Sequence, residues 1–491
     1  MTYEQLLKEL DERTRDAQEG GGLARQARQT RLGRLNARER IAQLVDQGSF
    51  EEFGKFAKSR RTESARKAAN RTAGDGLVCG LATVEGQNVV VYAHDPTVLR
   101  GALGHAGAMK LCRLLDLAKE RRFPVLSLVD CEGVRVEEGI DALESVGGVI
   151  ERTIALQGLV PQLTLVNGLC VGVAAYVAVL TDAVAMVKDQ TFMFVTGGKV
   201  TRVVTGESSD IDELGGPLLH SKTTGSAHAV VEDEAAGIAW LKRVLKAVSK
   251  AHGAPVPLGE TKALEALIPV DHRKPYDARA VLSTLFDEGS VLELSPDFAP
   301  NLLTAFARLG GRPVGVVASQ PMALAGCLDV RASRKGAAFV RWVHTLGLPL
   351  VTLVDVPGYL PGQNQEASGI LAHGAELLVA YAKARIPKIA VVLRKSYGGA
   401  SVLSFAADLR LALPTARVDP MGPEATLEVI LGPQVPDAPE SEKKEREARR
   451  AAWLASHDTA WSPAEDGYLD RIVAPAQLRQ ELGRALARLS T

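Results

Sequence analysis

Val160-Pro161-Gln162-Leu163-Thr164-Leu165-Val166-Asn167-Gly168-Leu169-Cys170-Val171-Gly172-Val173-Ala174 and Ile386-Pro387-Lys388-Ile389-Ala390-Val391-Val392-Leu393-Arg394-Lys395-Ser396-Tyr397-Gly398-Gly399-Ala400 carry one pattern twice. A proline enters a mostly apolar run, small residues end it, and an aspartate follows, Asp182 or Asp408. Pro161 and Pro387, Gly172 and Gly398, Ala174 and Ala400, and the two aspartates all stand 226 residues apart. Upstream, Leu128-Val129-Asp130 matches Leu353-Val354-Asp355 and Lys110 matches Lys335, at a spacing of 225. So long a period points to a duplicated domain and not a short solenoid repeat. Each copy predicts a strand, a small-residue turn and a helix. Such a turn presents bare backbone N–H groups to a ligand oxygen. Tight packing of a helix on a strand also selects small residues; two turns at matched positions shift the balance towards function.

Bulk properties bound the rest. At 491 residues the chain exceeds one core, and two domains of about 200–250 residues each are expected. Hydrophobic residues make up 46% and charged residues 24%, an ordinary globular composition. A net charge of zero argues for neither nucleic acid nor a membrane surface. The N-terminal residues show no secretory signal, and no apolar run is long enough to span a bilayer. Five scattered cysteines without a CxxC pair speak against a zinc ribbon and fit a reducing cytoplasm. No metal site is expected. No P-loop is present, so the chain is not expected to hydrolyse ATP.

Along the chain, residues 1–70 read as mostly helical, opening on a Thr2/Gln5 capping box and including the amphipathic Arg34–Ile41. Leu77–Thr83 and Asn88–Ala93 read as a hairpin around Glu85-Gly86. Leu99–Arg121 is expected as one helix, Val125–Val129 as a buried strand, Ile140–Gln157 as a helix and Gln162–Val166 as a strand. The second half repeats the scheme: strands at Val314–Ser319, Leu350–Val354 and Lys388–Leu393, helices at Ala332–Thr345 and Gly369–Ala384. His252–Gly259, rich in Pro and Gly, is the best linker, which divides the chain into 1–252, a linker at 253–261, and 262–491. The charged run Pro436–Arg450 reads as a solvated face. The loop Asp355-Val356-Pro357-Gly358-Tyr359-Leu360-Pro361-Gly362 follows a buried strand, at the strand end where α/β sheets bind ligands. Its Pro-Gly steps make it rigid, which a purely structural connection would also require.

These stretches resemble the carboxyltransferase (beta) subunit of biotin-dependent acyl-CoA carboxylases, a crotonase-like family. Gly33–Ile41, Gly74-Asp75-Gly76, Leu180-Thr181-Asp182, Met193–Gly197, Ala325–Asp329, Asp355–Gly362, Met421–Ala425 and Gly467–Asp470 fit the family in order, almost end to end. The resemblance implies an α/β fold of two duplicated crotonase-like (ClpP/crotonase superfamily) β-β-α superhelix domains. The first would face acyl-CoA and the second biotin. It implies transfer of CO2 from carboxybiotin to the carbon beside an acyl-CoA thioester. Two oxyanions form in turn, on the ureido oxygen of biotin and on the thioester oxygen. By position, the Gly172 and Val173 amides would face the thioester, and the Gly399 and Ala400 amides would face biotin. Gly133, Arg135, Tyr359, Gly398, Ser401 and Val402 would line the binding surfaces. No side-chain base is required, so the nine histidines read as surface or packing residues. The resemblance further implies a biotin carboxylase and biotin carrier protein (the alpha subunit) as partners. It also implies a homo-oligomer, commonly a hexamer, with the active site between the N-terminal domain of one subunit and the C-terminal domain of another.

The chain departs from the family at four places, the first being Arg100-Gly101-Ala102-Leu103-Gly104-His105, where Gly-Gly-Ser-x-Gly-Glu is usual. Cys131-Glu132-Gly133-Val134-Arg135 stands where Ser-Gly-Gly-Ala-Arg is usual, and Gly172-Val173 stands where Gly-Gly is usual. Ser401 stands in place of an aromatic residue, followed by Val402. A β-branched Val173 keeps its N–H but crowds the oxygen. An altered acyl substrate, a biotin-linked decarboxylase acting on a malonyl- or glutaconyl-type CoA, and a catalytically degenerate paralogue that only assembles a complex all stay open on these residues. Ala108-Met109-Lys110-Leu111 imitates a biotin-attachment tetrad but falls inside a helical pattern, so Lys110 and Lys335 read as packing, solvated or CoA-phosphate lysines.

Overall fold

Four prolines set the strands of two sheets. Proline has no N–H to donate, so at the entrance of a strand it offers only its carbonyl. Pro124 accepts from Val90 N–H and Pro161 from Val125 N–H; Pro349 accepts from Gly315 N–H and Pro387 from Leu350 N–H, all at 2.8–2.9 Å. Each proline thus fixes the register of the strand it enters against its neighbour. The structure, a computed structural model, describes residues 2–59, 72–208, 210–250, 253–432, 439–457 and 459–489. The chain forms two units, Met1–Lys246 and Ala247–Thr491.

In the first unit, eight strands run in the order Glu51–Glu52, β1 (Leu77–Val84), β2 (Gln87–His94), β3 (Val125–Cys131), β4 (Gln162–Val171), β5 (Ala183–Val187) and Ala229–Val231, with Phe192–Phe194 beside the end of β4. β1 and β2 form the expected hairpin, turning through Glu85 and Gly86, both at positive φ (49° and 77°). From β2 to β5 the pairing is parallel. Every residue of β3 is buried, as a strand covered on both faces requires. The second unit repeats the plan: β6 (Leu302–Leu309), β7 (Arg312–Ser319), β8 (Leu350–Val356), β9 (Lys388–Tyr397) and β10 (Leu409–Ala412) lie between the edges Leu292–Leu294 and Arg471–Ile472, with Arg417–Asp419 beside β9.

Helices pack on these sheets through their small and branched residues. α1 (Ala37–Leu44) begins with a reciprocal capping box between Asn36 and Glu39, which turns Arg40 and Ile41 inward. α2 (His105–Arg121) and α3 (Ile140–Leu156) cover the first sheet, and α4 (Val173–Val179) follows β4. α5 (Val330–Leu346) and α6 (Ile370–Lys383) are the counterparts in the second unit. Each unit has its own core, one around Leu111, Val129 and Val166, the other around Leu282, Val316 and Val391. Each such side chain contributes about 1.5–3 kcal/mol by leaving water.

Two expectations are modified. Leu99–Arg121 is not one helix: Leu99, Arg100 and Gly101 all take positive φ, and α2 starts only at His105. A Cβ on Gly101 would stand 2.1 Å from the Asp130 carbonyl oxygen, so this kink needs glycine to let the chain pass β3. The second unit repeats the kink at Leu324–Gly326, where Gly326 passes the Asp355 carbonyl. Residues 253–259 are packed on the second unit: Gly253 N–H donates to Gly311, and Leu258 lies against Gly310 and Gly483. His252, residues 60–70 of the expected helical N-terminus and Pro436–Ala438 of the charged run lie outside the described residues. The Thr2/Gln5 capping box forms as read.

Candidate active site

The duplicated turns close the longest parallel strands. β4 ends at Val171, and Gly172 swings the chain through φ 61°, ψ −120°, a conformation that costs an L-residue with a side chain on the order of 1–3 kcal/mol. α4 begins immediately, so Val173 and Ala174 are its first two residues, whose N–H groups have no intrahelical carbonyl. In the second unit Gly398 has the same φ of 61°, and a single tight turn, Gly398–Ser401, leads into a second short helix, Val402–Phe405. Gly399 is exposed, Ala400 and Ser401 are buried, and Val402 is half-buried. The Gly399 N–H lies in the first turn, ahead of the intrahelical ladder.

Gly172 corrects one expectation. Its N–H donates to the Phe194 carbonyl at 3.0 Å, so it is held by the added strand Phe192–Phe194. The amides at the head of α4 are those of Val173 and Ala174, one residue further on. Arg135 corrects another. Its guanidinium pairs with Asp75 and Glu138, donates to the Asp75 and Ala102 carbonyls, and is 2% exposed. It locks the loop after β3 and has no free face for a ligand.

Behind the first turn lies a tight cavity of about 20 Å³, lined by Val173, Ala174, Val177, Gly133, Val146 and Val149, with His94 and Cys131 beneath. Gly133 sits at φ 95°, and a Cβ there would stand 3.0 Å from the Val171 carbonyl oxygen, so the loop runs tightly beside the end of β4. Burial pushes the Cys131 thiol up to about 12, which makes it a packing group and not a nucleophile. Burial pulls the His94 imidazole down to about 4, so it is neutral at physiological pH. The unfolded chain takes up a proton on His94 below about 6.5 and the folded chain only near 4, so stability falls as pH drops through that window. The loss amounts to about 3 kcal/mol at pH 4. Asp182, pushed by burial up to about 7, acts in the opposite direction over nearly the same range. The check is therefore a difference: between pH 6.5 and 4, chemical denaturation should weaken the wild type more than His94→Phe. Equal slopes would show that His94 carries no such linkage.

In the second unit the loop after β8 brings Tyr359 against the turn. Its ring carbons lie 3.6–3.7 Å from where a Gly399 Cβ would stand, and the same ring packs over Gly374. The Tyr359 hydroxyl is buried without a partner among the described residues, and so is the Ser401 hydroxyl. Burial pushes the Tyr359 phenol up. Lys110 and Lys335 are packing residues. Lys110 Nζ donates to the Gly74 and Leu77 carbonyls, and Lys335 Nζ to those of Ser295, Phe298 and Ala299. Each ties a loop onto the helix that covers its sheet, which accounts for their spacing of 225. Among the described residues there is no cluster of His, Cys, Asp and Glu fit to hold a metal, and no helix long and apolar enough to cross a membrane.

What sequence reasoning did not find is the set of buried charges beneath the turns. Asp130 contacts Arg40, and Asp355 contacts Arg394 and, at 3.7 Å, Lys395; the first three are less than 5% exposed, as is Arg394. The matched spacing of the two aspartates was the available signal; their cations lie at unmatched positions.

Comparison with known proteins bears on the family and the fold. A profile of the carboxyl transferase domain matches residues 28–491. The propionyl-CoA carboxylase beta chain of Cereibacter sphaeroides is 38% identical, over 99% of this chain and 96% of that protein. The methylmalonyl-CoA decarboxylase subunit alpha of Veillonella parvula is 35% identical, over 100% and 97%. A crystal structure of transcarboxylase 12S, described as a hexamer with methylmalonyl-coenzyme A bound, superposes with a TM-score of 0.94 at 37% identity, covering 100% of this chain and 96% of that one.

Proposed function

The chain belongs to the carboxyl transferase family, with two crotonase-like α/β units, and from that premise we propose that it is a carboxyltransferase subunit moving CO2 from carboxybiotin to the α-carbon of an acyl-CoA thioester. The observation that carries the reading is the pair of glycine turns, each at φ 61°, each placing two backbone amides at the head of a helix. Carboxybiotin supplies the CO2 and, once decarboxylated, the base for the acyl α-proton. The residues of this chain bind and polarise. The Val173 and Ala174 amides face the thioester oxygen, and the Gly399 and Ala400 amides face the ureido oxygen. One such donor typically supplies about 3–4 kcal/mol of transition-state stabilisation. Exposed Gly399, with the Tyr359 ring beside it and a phenol lacking a partner among the described residues, suits the planar ureido face of a bicyclic ring that carries a carbonyl. Gly398, Ser401 and Val402 shape that surface, and Gly133 closes the acyl side. Biotin arrives on a separate carrier protein served by a biotin carboxylase. The chain works in the cytoplasm, as a homo-oligomer of the hexameric kind described for the 12S protein.

Purified chain mixed with carboxybiotin and a panel of acyl-CoAs should carboxylate at least one of them. Transfer to none, with no CO2 release, would leave the degenerate reading; CO2 release from a malonyl-type CoA without net carboxylation would leave the decarboxylase.

The half-buried Val173 side chain narrows the acyl side, because it lines the cavity behind the thioester turn. Val173→Gly should therefore raise the ratio of kcat/KM for a four-carbon over a two-carbon acyl-CoA by about tenfold, the order of one or two methylenes admitted. An unchanged ratio would remove Val173 from substrate selection.

A further inference from the structure

Both turns begin just after a break in strand register. Between Val129↔Val166 and Cys131↔Cys170, β3 advances by two residues while β4 advances by four. Between Val354↔Val392 and Val356↔Ser396, β8 and β9 do the same. A bulge of this kind takes main-chain groups out of the ladder and bends the strand. In each unit the residue passed over on the shorter strand is an aspartate, and its carboxylate faces the bulge. Leu169 N–H donates to Asp130 Oδ1 at 3.1 Å, and Lys395 N–H donates to Asp355 Oδ1 at 3.2 Å. Those amides stand three residues before Gly172 and Gly398.

The second carboxylate oxygen is held by a buried guanidinium, and here the copies differ. Arg394 lies inside its own bulge, and its Nε donates to Asp355 Oδ2 at 2.7 Å. The matching position in the first unit is Gly168, where a Cβ would stand 2.2 Å from Asp130 Oδ1, so no side chain fits. The cation comes instead from α1: Arg40 Nη1 and Nη2 reach Asp130 Oδ2 at 3.3 Å, and Arg40 is also gripped by Glu234. Glu234 in turn accepts from Asn167 Nδ2 within the bulge at 3.0 Å. Two unrelated routes thus deliver an arginine to the same oxygen of the same bulge aspartate.

We propose that Asp130 and Asp355 are positioning residues, each fixing the height and direction of the oxyanion turn in its own unit through the amide three residues ahead of it. The proposal rests on the reading of those turns as binders of the thioester and ureido oxygens. A carboxylate clamped by a buried arginine cannot rotate, so the bulge has one geometry and the amides beyond it one aim. Displacing reacting groups by about 1 Å can cost on the order of 10²-fold in rate.

The test reads each half-site separately. Isotope-edited infrared spectra of the full chain report the thioester carbonyl of bound acyl-CoA and the ureido carbonyl of bound biotin; the wild type should lower both stretching frequencies relative to the free molecules. Asp130→Asn should return only the thioester band towards its free value, and Asp355→Asn only the ureido band. Each variant should lose about 10- to 100-fold in kcat with acyl-CoA KM within about twofold. Both should fold, since Arg40 keeps Glu234, and Arg394 keeps the Pro269, Asp271 and Lys274 carbonyls and its stacking on Tyr276. Asp130→Glu and Asp355→Glu, which keep the charge and move the oxygens by one methylene, should show the same split and decide the matter if an Asn variant does not fold. No shift of either band in the wild type would overturn the reading of the turns. Shifted wild-type bands that survive in all four variants, or vanish together in each, would overturn the positioning role while leaving that reading intact.

Discussion

Gly398→Ala is expected to lower kcat for carboxyl transfer by about 10²- to 10³-fold, the range seen when one oxyanion donor is removed. The substitution adds one methyl group, and two features of the turn oppose it. The φ of 61° is a conformation that side-chain-bearing residues rarely adopt, and the new Cβ would stand 3.2 Å from the Pro420 carbonyl oxygen, tighter than ordinary contact. Relieving either strain rotates the following peptide, and that peptide carries the Gly399 N–H. The global cost should be on the order of 1–3 kcal/mol, small beside the core of the unit, so the variant should fold. Gly172→Ala should act in the same way through φ alone, since its Cβ would meet only the Val195 carbonyl oxygen at 3.6 Å. The measurement is steady-state transfer alongside thermal unfolding. A Gly398→Ala enzyme within tenfold of wild type would show that the amide direction does not govern the rate.

The largest loss of stability is expected from Arg40→Met. Arg40 is fully buried and is the cation shared by Asp130 and Glu234, which are 4% and 5% exposed. Methionine fills much of the volume but leaves two carboxylates facing each other without a counter-charge. Breaking a buried ion pair from one side costs about 3–5 kcal/mol, because the remaining charge stays desolvated. For a unit of this size the transition should fall by roughly 10 °C. Removing the exposed Arg13–Glu9 pair through Arg13→Ala is the control; both side chains are well solvated, and its effect should be too small to resolve. Scanning calorimetry decides, and a shift for Arg40→Met no larger than that for Arg13→Ala would mean the triad contributes little.

How far the sequence reaches can be seen at single residues. Pro124, Pro161, Pro349 and Pro387 announce the buried strands because the missing N–H confines proline to strand entrances, a local rule. The Glu85-Gly86 hairpin and the Thr2 cap are equally local, and they form where they were read. The kink at Leu99–Gly101 was missed because its cause is the Asp130 carbonyl, a neighbour only after β3 has folded beside it. Arg135 looked like a ligand-binding arginine, and nothing near it in sequence announces Asp75, sixty residues away, as the partner that holds it inside.

The site divides along the same line. The sequence by itself determined the duplication, the two glycine turns and the family, because each is a matter of which residue types follow one another at fixed spacing. Only the tertiary structure decided which amides are free and what aims them. Gly172 N–H is engaged by a strand twenty residues downstream, which moves the candidate pair to Val173 and Ala174. The bulge aspartates receive their arginines from different places, α1 in one unit and the bulge itself in the other. Hydrogen bonds and desolvated charges depend on distance in space, and the duplicated sequence preserves the acceptor while leaving the donor free to come from anywhere the fold can bring it.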